Sequence, residues 1–272
     1  GSLIWTPGGG LFTWKMLSYD LTYNYFEAER FQRYNNFNHS ISSNANWRFL
    51  PRTSLFADTR LGFIRYTEAS EQSDGDVMSS RAGINGLLTN RFGFLAALGW
   101  ATTVFDSKNG APRQDFDSLT AQAEARFFLS SPPKTEEGMQ VQPTTLILGY
   151  MRDWNQSYIG NFYGRDRGYA ALSYFFSTRV RSTAQFSASY LSFPSTNFES
   201  GAARDTEFST VAIGSTLFVE YLPTTHFGIF ASGDYVGQLT DKRLRVNEND
   251  PLITDNLAFS RFNLALGLRY LL

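Results

Sequence analysis

The sequence predicts an all-β chain: one transmembrane antiparallel up-and-down β-barrel of about twelve strands, with short periplasmic turns and long extracellular loops. Three observations predict it. Apolar and polar residues alternate in segments of about eleven to fifteen residues, the two-residue period of a strand with unlike faces. The connections between segments alternate short and long. Aromatic residues reach 16%, with 25 Phe and 14 Tyr, which suits the aromatic girdles of a membrane barrel.

The elements follow in order. Leu3–Trp5 is a short apolar stretch before the Thr6-Pro7-Gly8-Gly9-Gly10 break, so 1–10 is expected to form a periplasmic extension outside the strand count. The first segment is about Met16–Phe26, with Leu17, Tyr19, Leu21, Tyr23 and Tyr25 on one face and Ser18, Asp20, Thr22 and Asn24 on the other. The second, about Asn38–Phe49, turns Ile41, Ala45, Trp47 and Phe49 outward. The third, fourth and fifth are about Ser54–Tyr66, Met78–Leu88 and Phe92–Phe105. The sixth, about Asp117–Leu129, sets Leu119, Ala121, Ala123, Ala125 and Phe127 against Ser118, Thr120, Gln122, Glu124 and Arg126. The seventh to eleventh are about Thr144–Trp154, Phe162–Phe176, Val180–Ser192, Phe208–Tyr221 and Phe227–Gln238. The twelfth begins near Leu257 and ends on Gly267-Leu268-Arg269-Tyr270-Leu271-Leu272. There Gly267, Tyr270 and Leu272 fit a closing-strand signal read by barrel-assembly machinery.

The tight connections are Leu50-Pro51-Arg52, Thr89-Asn90-Arg91, Ser177-Thr178-Arg179 and Leu222-Pro223-Thr224-Thr225. The long polar ones are Glu27–Phe37, Glu68–Val77, Asp106–Phe116, Pro194–Thr206 and Leu239–Asn256. Short turns are periplasmic and long loops extracellular in such barrels, so parity places both termini in the periplasm of a bacterial outer membrane. Two connections break the pattern: Ser130–Pro143 is long where a short turn is expected, its Ser131–Gly138 portion reading as a disordered linker, and Asn155–Asn161 is short for an outer loop.

A soluble β-sandwich also alternates, but its strands average about five to six residues. Tyr or Trp near the segment ends (Tyr23, Tyr25, Trp47, Trp100, Tyr174, Tyr190, Tyr221, Tyr270) is the placement that a lipid interface favours. A mildly polar mean hydropathy does not oppose this, because lumen-facing polar residues cancel lipid-facing apolar ones. The chain has no cysteine, which excludes disulfides and thiolate metal sites, and a net charge of -1 argues against nucleic acid. An outer-membrane destination also implies a secretory targeting segment outside these 272 residues.

The expected lumen carries both signs. Arg48, Arg60, Arg81, Arg126, Arg165, Arg167, Arg181, Arg261 and Arg269 point inward by alternation, as do Asp20, Asp58, Glu124, Asp153, Glu220 and Asp234. Two readings stand. The charges pair and plug the interior, which relieves their desolvation cost. Otherwise they line a narrow polar channel whose arginines guide anionic sugars through bidentate contacts. Phe105, Phe128, Phe218 and Phe230 share the inward face and either fill the interior or stack on sugar rings.

Catalytic constellations do not emerge. His39 and His226 are the two histidines. Alternation sends Ser40 to the face opposite His39, and His226 abuts a tight turn, so neither pairs with a nucleophile. A barrel-protease set of His39 with Asp74 and Asp76 is generic. Ser73-Asp74-Gly75-Asp76 and Asn247-Glu248-Asn249-Asp250 lack a calcium-loop spacing and read as solvated charge. No enzyme activity, cofactor or metal is expected.

The stretch Tyr34-Asn35-Asn36-Phe37-Asn38-His39, followed by Trp47-Arg48-Phe49-Leu50-Pro51-Arg52-Thr53-Ser54-Leu55-Phe56-Ala57-Asp58 and Gly62-Phe63-Ile64-Arg65-Tyr66, resembles the β-barrel porin type 2 family of outer-membrane proteins. The resemblance implies a single-chain outer-membrane barrel, with some members linked to capsule or exopolysaccharide secretion alongside periplasmic synthesis and export components. The expected function is a passive channel for anionic saccharide or exopolysaccharide. The alternative is a sealed structural barrel whose outer loops bind a surface partner or lipopolysaccharide.

Overall fold

The computed structural model describes residues 2–7, 10–25, 27, 32, 35–67, 74–106, 115–130, 144–156, 162–177, 179–193, 208–224, 226–240, 243–245, 254–256 and 258–270. Leu272, the Ser131–Gly138 stretch and the Asn247–Asp250 cluster lie outside these residues, as does Tyr34 of the family-like motif.

The described residues form strands and connections without an α-helix. The strands are β1 (Ser2–Trp5), β2 (Phe12–Asn24), β3 (Asn36–Leu50), β4 (Thr53–Tyr66), β5 (Gly75–Thr89), β6 (Phe92–Phe105), β7 (Phe116–Phe128), β8 (Thr145–Gln156), β9 (Phe162–Phe175), β10 (Val180–Phe193), β11 (Phe208–Tyr221), β12 (Phe227–Leu239), β13 (Arg243–Arg245), β14 (Thr254–Asn256) and β15 (Phe259–Tyr270). Thirteen of them make one antiparallel sheet in strict sequence order, β1 to β12 and then β15, while β13 and β14 pair as a separate ribbon. Nearest-neighbour connection is what chain economy favours for consecutive antiparallel strands.

The twelve long strands coincide with the alternating segments of the sequence. Two expectations need correction. Residues 2–5 do not stand apart as an extension: β1 pairs with β2, from Ser2↔Ser18 to Trp5↔Trp14. Four residues are too few to display a period, which hid the strand. The first long strand also starts at Phe12 rather than near Met16, because its pairing with β3 shifts register between Lys15 and Ser18. A bulge inserts a residue and breaks the alternation at that point.

Among the described residues the sheet is open: β1 and β15 are its two edges. The open edge is visible in the side chains of β15, where Leu264, Leu266 and Leu268 are 75%, 86% and 70% exposed.

Register carries one apolar face across the sheet. Phe92 faces Phe127, Leu98 faces Ala121 and Trp100 faces Leu119. Leu148 faces Ala170, Leu217 faces Gly233, and Gly233 faces Leu264. A slip by one residue would interleave polar and apolar rows, so this face fixes the pairing. It is also the exposed one: Leu98, Leu119, Phe186, Leu217 and Phe262 all stand open.

The opposite face is concave. Its side chains reach across an intervening strand: Arg81 of β5 bonds Gln122 of β7, and Tyr169 of β9 bonds Glu124 of β7. Such skips require curvature toward that face. The apolar face is therefore convex.

Candidate functional site

Every inward candidate from the sequence that belongs to a described strand lies on the concave face. The phase of each strand settles this, since Asp58 pairs with Arg81, Arg81 with Gly99, Arg126 with Gly93, and Arg181 with Glu220.

Glycines shape this wall. Tyr169 lies over Gly149, Phe230 over Gly267, Phe56 over Gly83 and Phe105 over Gly75. A Cβ on Gly149 would stand 2.2 Å from the Tyr169 ring, and one on Gly267 would stand 2.2 Å from Phe230. Only glycine lets a neighbouring ring lie this close to the backbone. The rings consequently lie along the wall instead of projecting from it. Phe218 and Phe230 stack on each other at 5.7 Å, and Arg181 sits 5.8 Å over Phe218.

The charges form two groups. Across β3 to β9 runs a connected chain. Asn44 donates to Asp58, which also accepts from Arg81 Nε at 2.9 Å. Arg81 Nη1 donates to Gln122 Oε1 at 2.9 Å, and Gln122 Nε2 donates to Glu124 Oε1 at 2.9 Å. Glu124 Oε2 accepts from Arg126 Nε and Nη2 at 2.9 and 2.6 Å. Arg126 Nη1 turns toward Asn85 Oδ1 at 3.4 Å. Nearer the long loops, Arg165 clasps Asp153 with Nε and Nη2 at 2.9 and 2.6 Å. Arg167 lies 5.1 Å over the Tyr169 ring.

The second group sits at the short-turn end of β10 to β15. Glu220 has no exposed surface, and its two oxygens meet Arg181 Nε at 2.5 Å and Arg269 Nη2 at 2.8 Å. Gly228 leaves the space: a Cβ there would stand 3.1 Å from Glu220 Oε1. Further along, Asp234 accepts from Thr216 at 2.9 Å, and Arg60 donates to Ser40 at 3.2 Å. The guanidinium groups of Arg48 and Arg261 have no polar partner among the described residues.

The ion pairs on this face join residues on one strand, on adjacent strands or on strands one apart. The charges pair along the wall, and the partners the sequence could not supply are mostly neutral: Asn44, Asn85, Gln122 and Tyr169. Their signal was register, with a small residue between the partners, as Gly99 lies between Arg81 and Thr120.

Sequence reasoning also missed charge on the convex face. Arg65 pairs with Asp76 at 2.6 Å and Arg152 with Asp166 at 3.5 Å. His39 Nδ1 lies 2.7 Å from the Tyr19 hydroxyl. Histidine, aspartate and glutamate do not gather into a metal-binding group among the described residues.

No protein-family model matches the chain, and no curated protein was found to be similar to it.

Proposed function

We propose that the sheet closes into an outer-membrane barrel and acts as a passive channel biased toward anionic saccharide. The observation that carries this reading is the contrast between the two faces. The convex face exposes leucines and aromatics in register. The concave face holds arginine in excess of carboxylate, with its aromatic rings laid flat over glycines. In hydrocarbon every backbone group needs a partner, so an open edge is untenable and the sheet must meet itself. The twelve long strands make this antiparallel: β2 and β15 run in opposite directions, whereas β1 and β15 run the same way. Closure of β15 on β2 therefore requires β1 to yield part of that edge. The likeness of 34–66 to the β-barrel porin type 2 family points the same way, as does Gly267 with Tyr270 on the closing strand.

The channel does no chemistry. Arginines attract anions, pairing keeps most of the guanidinium groups oriented, and cargo moves by diffusion or by push from behind. Outer-membrane lipid and lipopolysaccharide would cover the convex face, and periplasmic export components would deliver cargo.

The test is conductance of the folded protein in planar bilayers. An open pore that prefers chloride over potassium is expected. Arg48→Ala with Arg261→Ala should lower that preference at least twofold. Arg126→Gln should lower it further, because it leaves the Glu124 carboxylate without its guanidinium. A folded, inserted protein that passes no current overturns the channel. That result favours the sealed barrel, for which the Phe105, Phe116 and Phe162 cluster near the long-loop end would be the plug.

A further inference from the structure

At the short-turn end the concave wall has a recess of about 400 Å³ that the chain of paired charges does not fill. Arg48, Arg52 and Arg126 line it together with Ser54, Asn85 and Phe128, and no carboxylate of the described residues is in its lining. The three arginines come from different elements. Arg48 is two residues from the end of β3, Arg52 occupies the adjoining tight turn, and Arg126 is two residues from the end of β7.

Their states differ usefully. Arg126 is held in place by Glu124, which leaves Nη1 on a long 3.4 Å contact with Asn85. Arg52 is positioned by a bond from Nη1 to Asn90, and its carbonyl accepts from Leu87 N at 2.9 Å. Arg48 bonds through its backbone to Leu11 at 2.7 Å, while its guanidinium is uncommitted. Gly86 and Gly93 floor the recess, and a Cβ on Gly93 would meet Leu87 at 3.1 Å. One free and two pre-oriented guanidinium groups around an uncharged floor suit a carboxylate or phosphate. Phe128 adds an apolar ring face beside them, a surface on which the C–H face of a pyranose packs.

We infer that this recess is a binding subsite for one anionic sugar unit, its acidic group on Arg48, Arg52 and Arg126 and its ring on Phe128. The inference rests on the channel reading and adds to it a defined point of engagement at the periplasmic mouth. Paired arginines elsewhere on the wall attract without holding, and this group holds.

The test is titration calorimetry of the folded protein in detergent micelles with trigalacturonate, maltotriose and inorganic phosphate, beside the conductance measurement. Trigalacturonate should bind and maltotriose should not. Arg48→Ala should weaken trigalacturonate at least tenfold, with partial rescue in Arg48→Lys. Phe128→Leu should weaken trigalacturonate several-fold and leave phosphate unchanged. Arg179→Ala removes the same charge from an equivalent tight turn outside the recess and should change affinity less than twofold. Equal losses in Arg48→Ala and Arg179→Ala would mean diffuse rim charge and would overturn the subsite. Phosphate binding as tight as trigalacturonate would overturn the sugar assignment. Binding without conductance would leave the subsite standing and remove the channel, whereas anion-selective conductance without trigalacturonate binding would do the reverse.

Discussion

The two ends of the convex face differ in kind. Toward the short turns it offers Phe92, Phe94, Leu146, Leu148, Leu172, Val219, Tyr221, Ile229, Leu268 and Tyr270 and no charge. Toward the long loops it carries Arg65, Asp76, Asp117, Arg152 and Asp166, with His39 beside Tyr19. The five charged residues and His39 each lie within four residues of their strand's long-loop end. A protein interior would not sort charge this way, since any point on a buried face is equally dry. In the proposed membrane reading, hydrated headgroups flank the hydrocarbon on both sides, and a belt set closer to the short turns would leave the long-loop ends of the strands within the outer headgroup layer. The difference teaches that the apolar belt is offset toward the short turns.

The sharpest way to break this comparison is to put the same charge at matched depths. Leu148 is three residues from the short-turn end of β8, and Val211 is three residues from the long-loop end of β11. Both side chains are convex and exposed. In lipid vesicles Leu148→Arg should cost about 2 kcal/mol of folding stability, since the site lies within the hydrocarbon but short of the midplane, where arginine costs about 2–4 kcal/mol. Val211→Arg should cost about 1 kcal/mol or less, as near an interface. Urea-dependent folding into vesicles, followed by tryptophan emission, reads both. Equal costs would remove the offset. Two negligible costs would remove the membrane.

A step down in size is the removal of a girdle residue. Tyr221 and Tyr174 sit at the short-turn ends of β11 and β9, exposed on the convex face. Tyr221→Ala should destabilise the vesicle-bound protein by about 1 kcal/mol, the scale of losing an amphipathic ring from its interface. The same protein in detergent micelles, which lack a planar interface, should lose less. An equal loss in both would assign Tyr221 to local packing.

Most of this contrast was legible as alternation. Phe262 to Tyr270 announces its two faces without any structure, because a two-residue period survives wherever one face is uniformly apolar. The concave charges were legible as a set for the same reason. Their pairing was not. Arg81 meets Gln122 only because two registers and Gly99 bring them together, and none of these is a property of either residue's neighbourhood in the sequence. Nor was the convex charge visible: Arg152 and Asp166 break the alternation of β8 and β9, and a broken alternation reads as noise until register places the two side by side. The Lys15–Ser18 register shift hid the start of β2 in the same way.

The smallest effect concerns that pair and fixes the height of the boundary. Arg152 Nη1 lies 3.5 Å from Asp166 Oδ1, both side chains are partly open, and Tyr150 donates its hydroxyl to the same carboxylate oxygen. An ion pair in hydrated headgroups is screened and loses side-chain entropy on forming, so its coupling is about 0.2–1 kcal/mol. The same pair within hydrocarbon behaves as a buried one, where losing either partner costs about 3–5 kcal/mol. A double-mutant cycle of Arg152→Ala and Asp166→Ala in vesicles should therefore give a coupling below about 1 kcal/mol that shrinks further in high salt. A coupling above about 3 kcal/mol, unmoved by salt, would place Arg152 inside the acyl layer. The apolar belt would then extend to within four residues of the long loops on β8 and β9, and the asymmetry of the two ends would owe nothing to the membrane.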